Sequence, residues 1–104
     1  MNRTTDSRKS GTFLGLYEVL LERSAVKQLE ELDKSSKQRI IEALRVLREV
    51  GLAARLDIKK LKGYKNYYRL RVGSYRVLFE FQKPRTFIVY AILPRKVAYR
   101  KIEK

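Results

Sequence analysis

The sequence predicts a single α+β domain in which one strand and a two-helix hairpin are followed by an antiparallel meander of about four strands. Three observations carry this. Apolar residues recur every three to four positions between Ala25 and Val50, the period of helices that bury one side. From Leu56 onward the period becomes two, broken by turn signals at Gly63, at Gly73-Ser74 and at Lys83-Pro84-Arg85. A chain of 104 residues holds one core, and helices laid on one face of a sheet bury it economically in two layers.

Residues 1–12 are small, polar and aperiodic, so they read as a disordered extension ahead of a folded domain over residues 13–104. Residues 13–21 read as a first strand, buried over most of its length. Ser24 is placed to cap a short helix whose stripe is Ala25, Val26, Leu29 and Leu32. Ser35 with Gln38 matches a capping box for a second helix, carried by Ile40, Ile41, Leu44, Leu47 and Val50 and ended by Gly51. So short a turn between them predicts an antiparallel pair. Leu56, Ile58 and Leu61 mark a short strand among lysines. Tyr68, Leu70 and Val72 then alternate with Tyr67, Arg69 and Arg71, and after the Gly73-Ser74 turn Tyr75, Val77, Phe79 and Phe81 alternate with Arg76, Leu78 and Glu80. Residues 86–93 are nearly all apolar and predict an interior strand. The basic tail after Pro94 receives no element.

Charge is distributed unevenly. The formal net charge is +14, yet residues 1–58 hold 11 basic and 9 acidic side chains and residues 59–104 hold 14 and 2, so +12 falls in the second half. An ion-pair network needs acidic partners, which that half lacks; a surface that meets phosphates does not. The chain has no cysteine and no histidine, which excludes disulfides, thiolate nucleophiles, the commonest zinc sites and the usual general base at neutral pH. The composition predicts a cytoplasmic protein with no cofactor and no metal.

Between Lys59 and Arg76 stand seven Lys or Arg, four Tyr and no acidic residue. If the helices cover the apolar face of the hairpin, Arg69, Arg71 and Tyr67 project from the other, joined by Arg76 from the next strand and by Arg95, Lys96, Tyr99 and Arg100 from the tail. Lys60, Lys62 and Lys65 border this surface, as phosphate contacts or as an ordinary solvated turn. Guanidinium groups hold phosphates while rings stack on bases, the usual chemistry of single-stranded RNA binding. Tyr68 and Tyr75 share faces with aliphatics and read as core.

The motifs K-L-K-G, Y-R-L-R, G-S-Y-R-V and P-R-x-x-A-Y, in this order and over residues 16–101, resemble the RelE/ParE superfamily of toxin–antitoxin toxins, in particular its archaeal RelE-like members. The resemblance implies the two-layer RelE-like fold and a metal-independent, ribosome-dependent mRNA endoribonuclease that blocks translation. It also implies a RelB-like antitoxin partner, which the basic surface predicts to be acidic. A ParE-like inhibitor of DNA gyrase, or a plain basic nucleic-acid-binding module, is the alternative. By motif position the site falls on Arg69, Arg71, Arg76, Arg95 and Tyr99. Arginines stand where the well-known bacterial member has lysines, and arginine stays protonated. The proton acceptors left are Tyr99, Lys96 and Glu80.

Overall fold

A computed structural model describes residues 17–102. The predicted extension over residues 1–12 and the start of the first strand lie outside them. Five strands form one sheet: β1 (Glu18–Leu21), β2 (Asp57–Lys60), β3 (Tyr67–Val72), β4 (Tyr75–Gln82) and β5 (Thr86–Pro94), in the order β1-β5-β4-β3-β2. The last four are the predicted antiparallel meander, and β1 pairs parallel to β5. This makes β1 an edge strand, where the sequence reading buries it. Only Val19 and Leu21 turn half-buried toward the core, and Leu20 is exposed.

Helices α1 (Arg23–Glu30) and α2 (Lys34–Val50) lie on one face of the sheet. There Ala25, Ile40, Ala43, Leu44 and Leu47 meet Leu70, Val77, Phe79, Phe87, Val89 and Ile92. The rings pack in sequence: Tyr68 stacks on Phe79 at 5.5 Å, Phe79 meets Phe87 edge-on at 5.5 Å, and Phe87 stacks on Phe81 at 4.6 Å. No helix among the described residues is long and apolar enough to cross a membrane.

Both predicted caps are displaced. The α1 N-cap is Glu22, with no side-chain cap bond, and the α2 N-cap is Asp33, whose carboxylate accepts from the Ser36 amide at 2.9 Å. Ser24 has a different task. The β1–β5 pairing ends at Leu21 opposite Val89, so the next backbone groups of β5 on that edge lose their strand partner. Ser24 Oγ donates to the Tyr90 carbonyl at 3.2 Å, and the Ile92 amide donates to Gln28 Oε1 at 2.7 Å. Residues 24 and 28 share a helix face as residues 90 and 92 share a strand edge, so α1 stands in for the missing strand.

The tail also folds. Helix α3 (Arg95–Ile102) lies against the face of the sheet opposite α1 and α2, where Ala98 and Val97 pack on Leu78, Leu93, Tyr90 and Ala91 in a second, smaller apolar cluster.

Candidate nucleic-acid interface

On the face opposite α1 and α2, strand register sorts the side chains into rows. Asp57, Arg71, Arg76 and Leu93 are successive cross-strand partners, and so are Lys59, Arg69, Leu78 and Ala91. A third row runs Tyr67, Glu80, Ile88. Leu78 and Leu93 are covered by α3, so the free part of the first two rows is basic apart from Asp57. Arg71 and Arg76 stand directly opposite each other, a pairing that costs stability unless an anion is present.

Arg95 joins them through the backbone. Its amide donates to the Ser74 carbonyl at 2.8 Å, tying the first residue of α3 to the β3–β4 turn. Gly73 makes that turn with φ 59, which L side chains rarely adopt. Burial, and after it the charges of Arg71, Arg69 and Arg95, hold the Arg76 guanidinium below its ordinary value, with Asp57 acting the other way. It is nonetheless a cation at any physiological pH. Arg76 Nη1 is held by the carbonyls of Gly73 at 3.3 Å and Tyr75 at 3.2 Å.

Asp57 is an acid that the sequence reading passed over. It lies 3.6 Å from Arg69 and 3.8 Å from Arg71, one carboxylate shared by two guanidinium groups. Arg69 is mostly buried, and its Nη1 has no hydrogen-bond partner. A buried donor in that state favours an incoming acceptor, and phosphate oxygens supply several.

Beside Arg95, α3 contributes Lys96, Tyr99 and Arg100, which line an open depression of about 570 Å³. Tyr99 is exposed. The first turn of α3 carries no acid, so the positive end of the helix adds to the charge of Arg95 and Lys96.

Two candidates fall elsewhere. Lys60 lies two residues from Ile58, a core residue, on the same face of β2, and pairs with Tyr68, so it belongs to the helix-packed face; Lys59, one residue earlier, pairs with Arg69 on the arginine face. Glu80 stands four residues from Arg76 along β4, about 13 Å, and belongs to the row of Tyr67. Of the three expected proton acceptors, Tyr99 and Lys96 share a depression with Arg95. Lys62 and Lys65 are exposed in the β2–β3 turn.

Tyr67 belongs to an aromatic group that the sequence reading did not assemble. Its ring meets Tyr64 at 6.2 Å and Tyr90 at 5.6 Å, both edge-on. Tyr90 reaches this face because Leu78 pairs with Ala91 while Phe79 pairs with Val89, so β5 carries one extra residue. Within an almost wholly apolar strand, nothing in the sequence marks that bulge.

The sequence matches, over residues 19–99, the family described as the ParE toxin of the type II toxin-antitoxin system parDE. Toxin RelE3 of Methanocaldococcus jannaschii is 53% identical over 45 residues, 43% of this chain and 50% of that protein, so the chain spans about half the length of the curated relative it matches. In the RelB-RelE antitoxin-toxin complex of Methanococcus jannaschii, one chain is 38% identical and superposes with a TM-score of 0.64, over 79% of this chain and 96% of that one. The archaeal RelE-RelB complex of Pyrococcus horikoshii OT3 has a chain at 28% identity and a TM-score of 0.67, over 77% and 96%. Fold and sequence agree over the same folded stretch, and the chain belongs to the ParE toxin family of type II toxin-antitoxin systems.

Proposed function

We propose that this toxin is an endoribonuclease that cleaves mRNA on the ribosome without a metal, and that a RelB-like antitoxin silences it. The observation that carries the reading is the group Arg69, Arg71, Arg76 and Arg95, in which burial and then the three neighbouring charges hold Arg76 below its ordinary value and Asp57 pairs with Arg69 and Arg71 alone. Such a group is costly in the free protein and is stabilised by a polyanion. RNA cleavage by its own 2′-hydroxyl suits it. The 2′-oxygen gives up its proton and attacks phosphorus, the bond to the 5′-oxygen breaks as that oxygen takes a proton from water, and a 2′,3′-cyclic phosphate and a 5′-hydroxyl result. The pentacoordinate state between carries extra negative charge, which fixed guanidinium groups stabilise. Tyr99 orients the nucleotide and helps to draw the proton from the 2′-hydroxyl, with Lys96 next to it. The relatives named for RelE, and their complexes with RelB, support both the activity and the partner.

Arg95→Ala and Tyr99→Phe should each lower cleavage at least tenfold in primer-extension mapping of mRNA on translating ribosomes. Unchanged cleavage in both sinks the assignment. The ParE name of the matched family favours a second reading, inhibition of DNA gyrase. Loss of supercoiling activity with mRNA left intact selects it.

A further inference from the structure

The third row of the outer face is not explained by phosphate binding. It borders a cavity of about 550 Å³ lined by Tyr64, Tyr67, Tyr90, Glu22, Glu80 and Lys101, with aliphatic side chains completing the wall. We propose that this pocket is a base-recognition subsite for single-stranded RNA, selective for guanine, in which the Glu80 carboxylate reads the Watson–Crick edge of the base. The assignment rests on the RNA-cleavage reading above and adds to it a specificity-determining site.

Three features lead there. The tyrosine rings meet edge-on, at interplanar angles of 64° and 71°, so none is stacked on another, and Tyr64 is exposed and offers its ring to a base. Tyr67 is two residues from Arg69 on the same face of β3, about 7 Å along the strand. An RNA chain whose phosphate rests on Arg69 therefore brings a neighbouring nucleotide to the pocket. The third feature is acidic: Glu22 and Glu80 both line the pocket, and of the two Glu80 stands directly opposite Tyr67. Residues 59–104 contain only two acidic side chains, and one of them, Glu80, lines this pocket. A carboxylate in that position works against the RNA backbone, so its favourable partner is a ligand edge rich in donors.

Guanine alone among the four bases presents two adjacent donors, N1–H and N2–H, on its Watson–Crick edge, and a carboxylate accepts both at once. Adenine and cytosine offer one amino donor beside a ring nitrogen that repels the carboxylate, and uracil offers one N–H between two carbonyls. The guanine O6 acceptor beside N1–H is matched by the Lys101 ammonium on the same wall. Burial, with the neighbouring Tyr67, Tyr64 and Glu80, holds the Tyr90 phenol above its ordinary value, so it remains a donor at neutral pH.

The test uses the purified toxin and four fluorescein-labelled RNA tetranucleotides that differ in one central base, read by anisotropy, beside primer-extension mapping of cut sites on ribosomes. The wild type should bind the guanine oligomer about tenfold more tightly than the adenine one. The isosteric Glu80→Gln should bring the four within about twofold of each other and remove guanine bias from the cut sites, since an amide no longer offers two acceptors. Tyr67→Ala should weaken all four by about tenfold, through lost stacking. Equal binding of the four oligomers by the wild type, or Glu80→Gln discriminating as the wild type does, overturns the subsite while cleavage leaves the RNA reading in place. A wild-type toxin that neither binds RNA nor cuts mRNA overturns that reading and the subsite with it.

Discussion

Arg76→Met separates what the arginine row does for folding from what it does for chemistry. The substitution keeps an aliphatic stem and removes a half-buried guanidinium. Two long hydrogen bonds to the Gly73 and Tyr75 carbonyls are lost, together about 1 kcal/mol. Against that, Arg71 loses the like charge directly opposite it, a relief of about 0.2–1 kcal/mol, and burial no longer opposes a charge at this position. The terms nearly cancel, so stability should change by less than about 1 kcal/mol and Tm by less than about 8 °C. For cleavage they do not cancel, because the phosphorane loses a fixed cation; about 3 kcal/mol, or roughly 100-fold in rate, is the usual cost of removing one such donor. Arg76→Lys should fall between, since it restores charge without the planar fork. Thermal melting followed by circular dichroism, with timed primer extension on translating ribosomes, measures both sides. Cleavage within about threefold of wild type, or a Tm loss beyond about 10 °C, would show that Arg76 is a structural residue and refute the argument.

Ala98→Asp places a carboxylate in the small cluster of Leu78, Leu93 and Ala98, at a desolvation cost of several kcal/mol. Helix α3 should lift, carrying Arg95 and Tyr99 away. Hydrogen exchange should then show its amides deprotected with β3 and β4 still protected, and loss of protection throughout would mean the two clusters are not separable. Gly51→Ala puts a Cβ within 2.5 Å of the Tyr17 ring at a residue with φ 75, so a loss of about 1–3 kcal/mol should appear in denaturant unfolding. An unchanged midpoint would rule that contact out. The Tyr90 phenol is held above its ordinary 10.0 in the folded chain, so the unfolded chain gives up that proton first and stability falls as pH rises past 10.0. Tyr90→Phe should reduce that slope in melts across alkaline pH, and a slope identical to wild type would contradict it.

The element order and the division of the β3–β4 hairpin into a core face and an arginine face were legible from the sequence. Both follow from local sterics. A residue's neighbours at two or at three to four positions decide its face whatever it later packs against, so Tyr68, Leu70, Val77 and Phe79 could be assigned inward and Arg69, Arg71 and Arg76 outward. Helix caps were less legible. The sequence predicts caps at Ser24 and Ser35, but Asp33 caps α2 and the unpaired edge of β5 draws Ser24 to the Tyr90 carbonyl.

Only tertiary structure decided which strands meet and in what register. Register sets Asp57 opposite Arg71 and Lys59 opposite Arg69, and moves Glu80 from the arginines to the tyrosines. The bulge that turns Tyr90 outward, and the parallel pairing that leaves β1 at an edge, likewise belong to β5 and its partners together. The folding of the tail as α3 depends on Leu78 and Leu93 being uncovered on the second face. Period describes one segment and its own side chains; register, bulges and helix docking are properties of pairs of segments, set by the contacts that close between them.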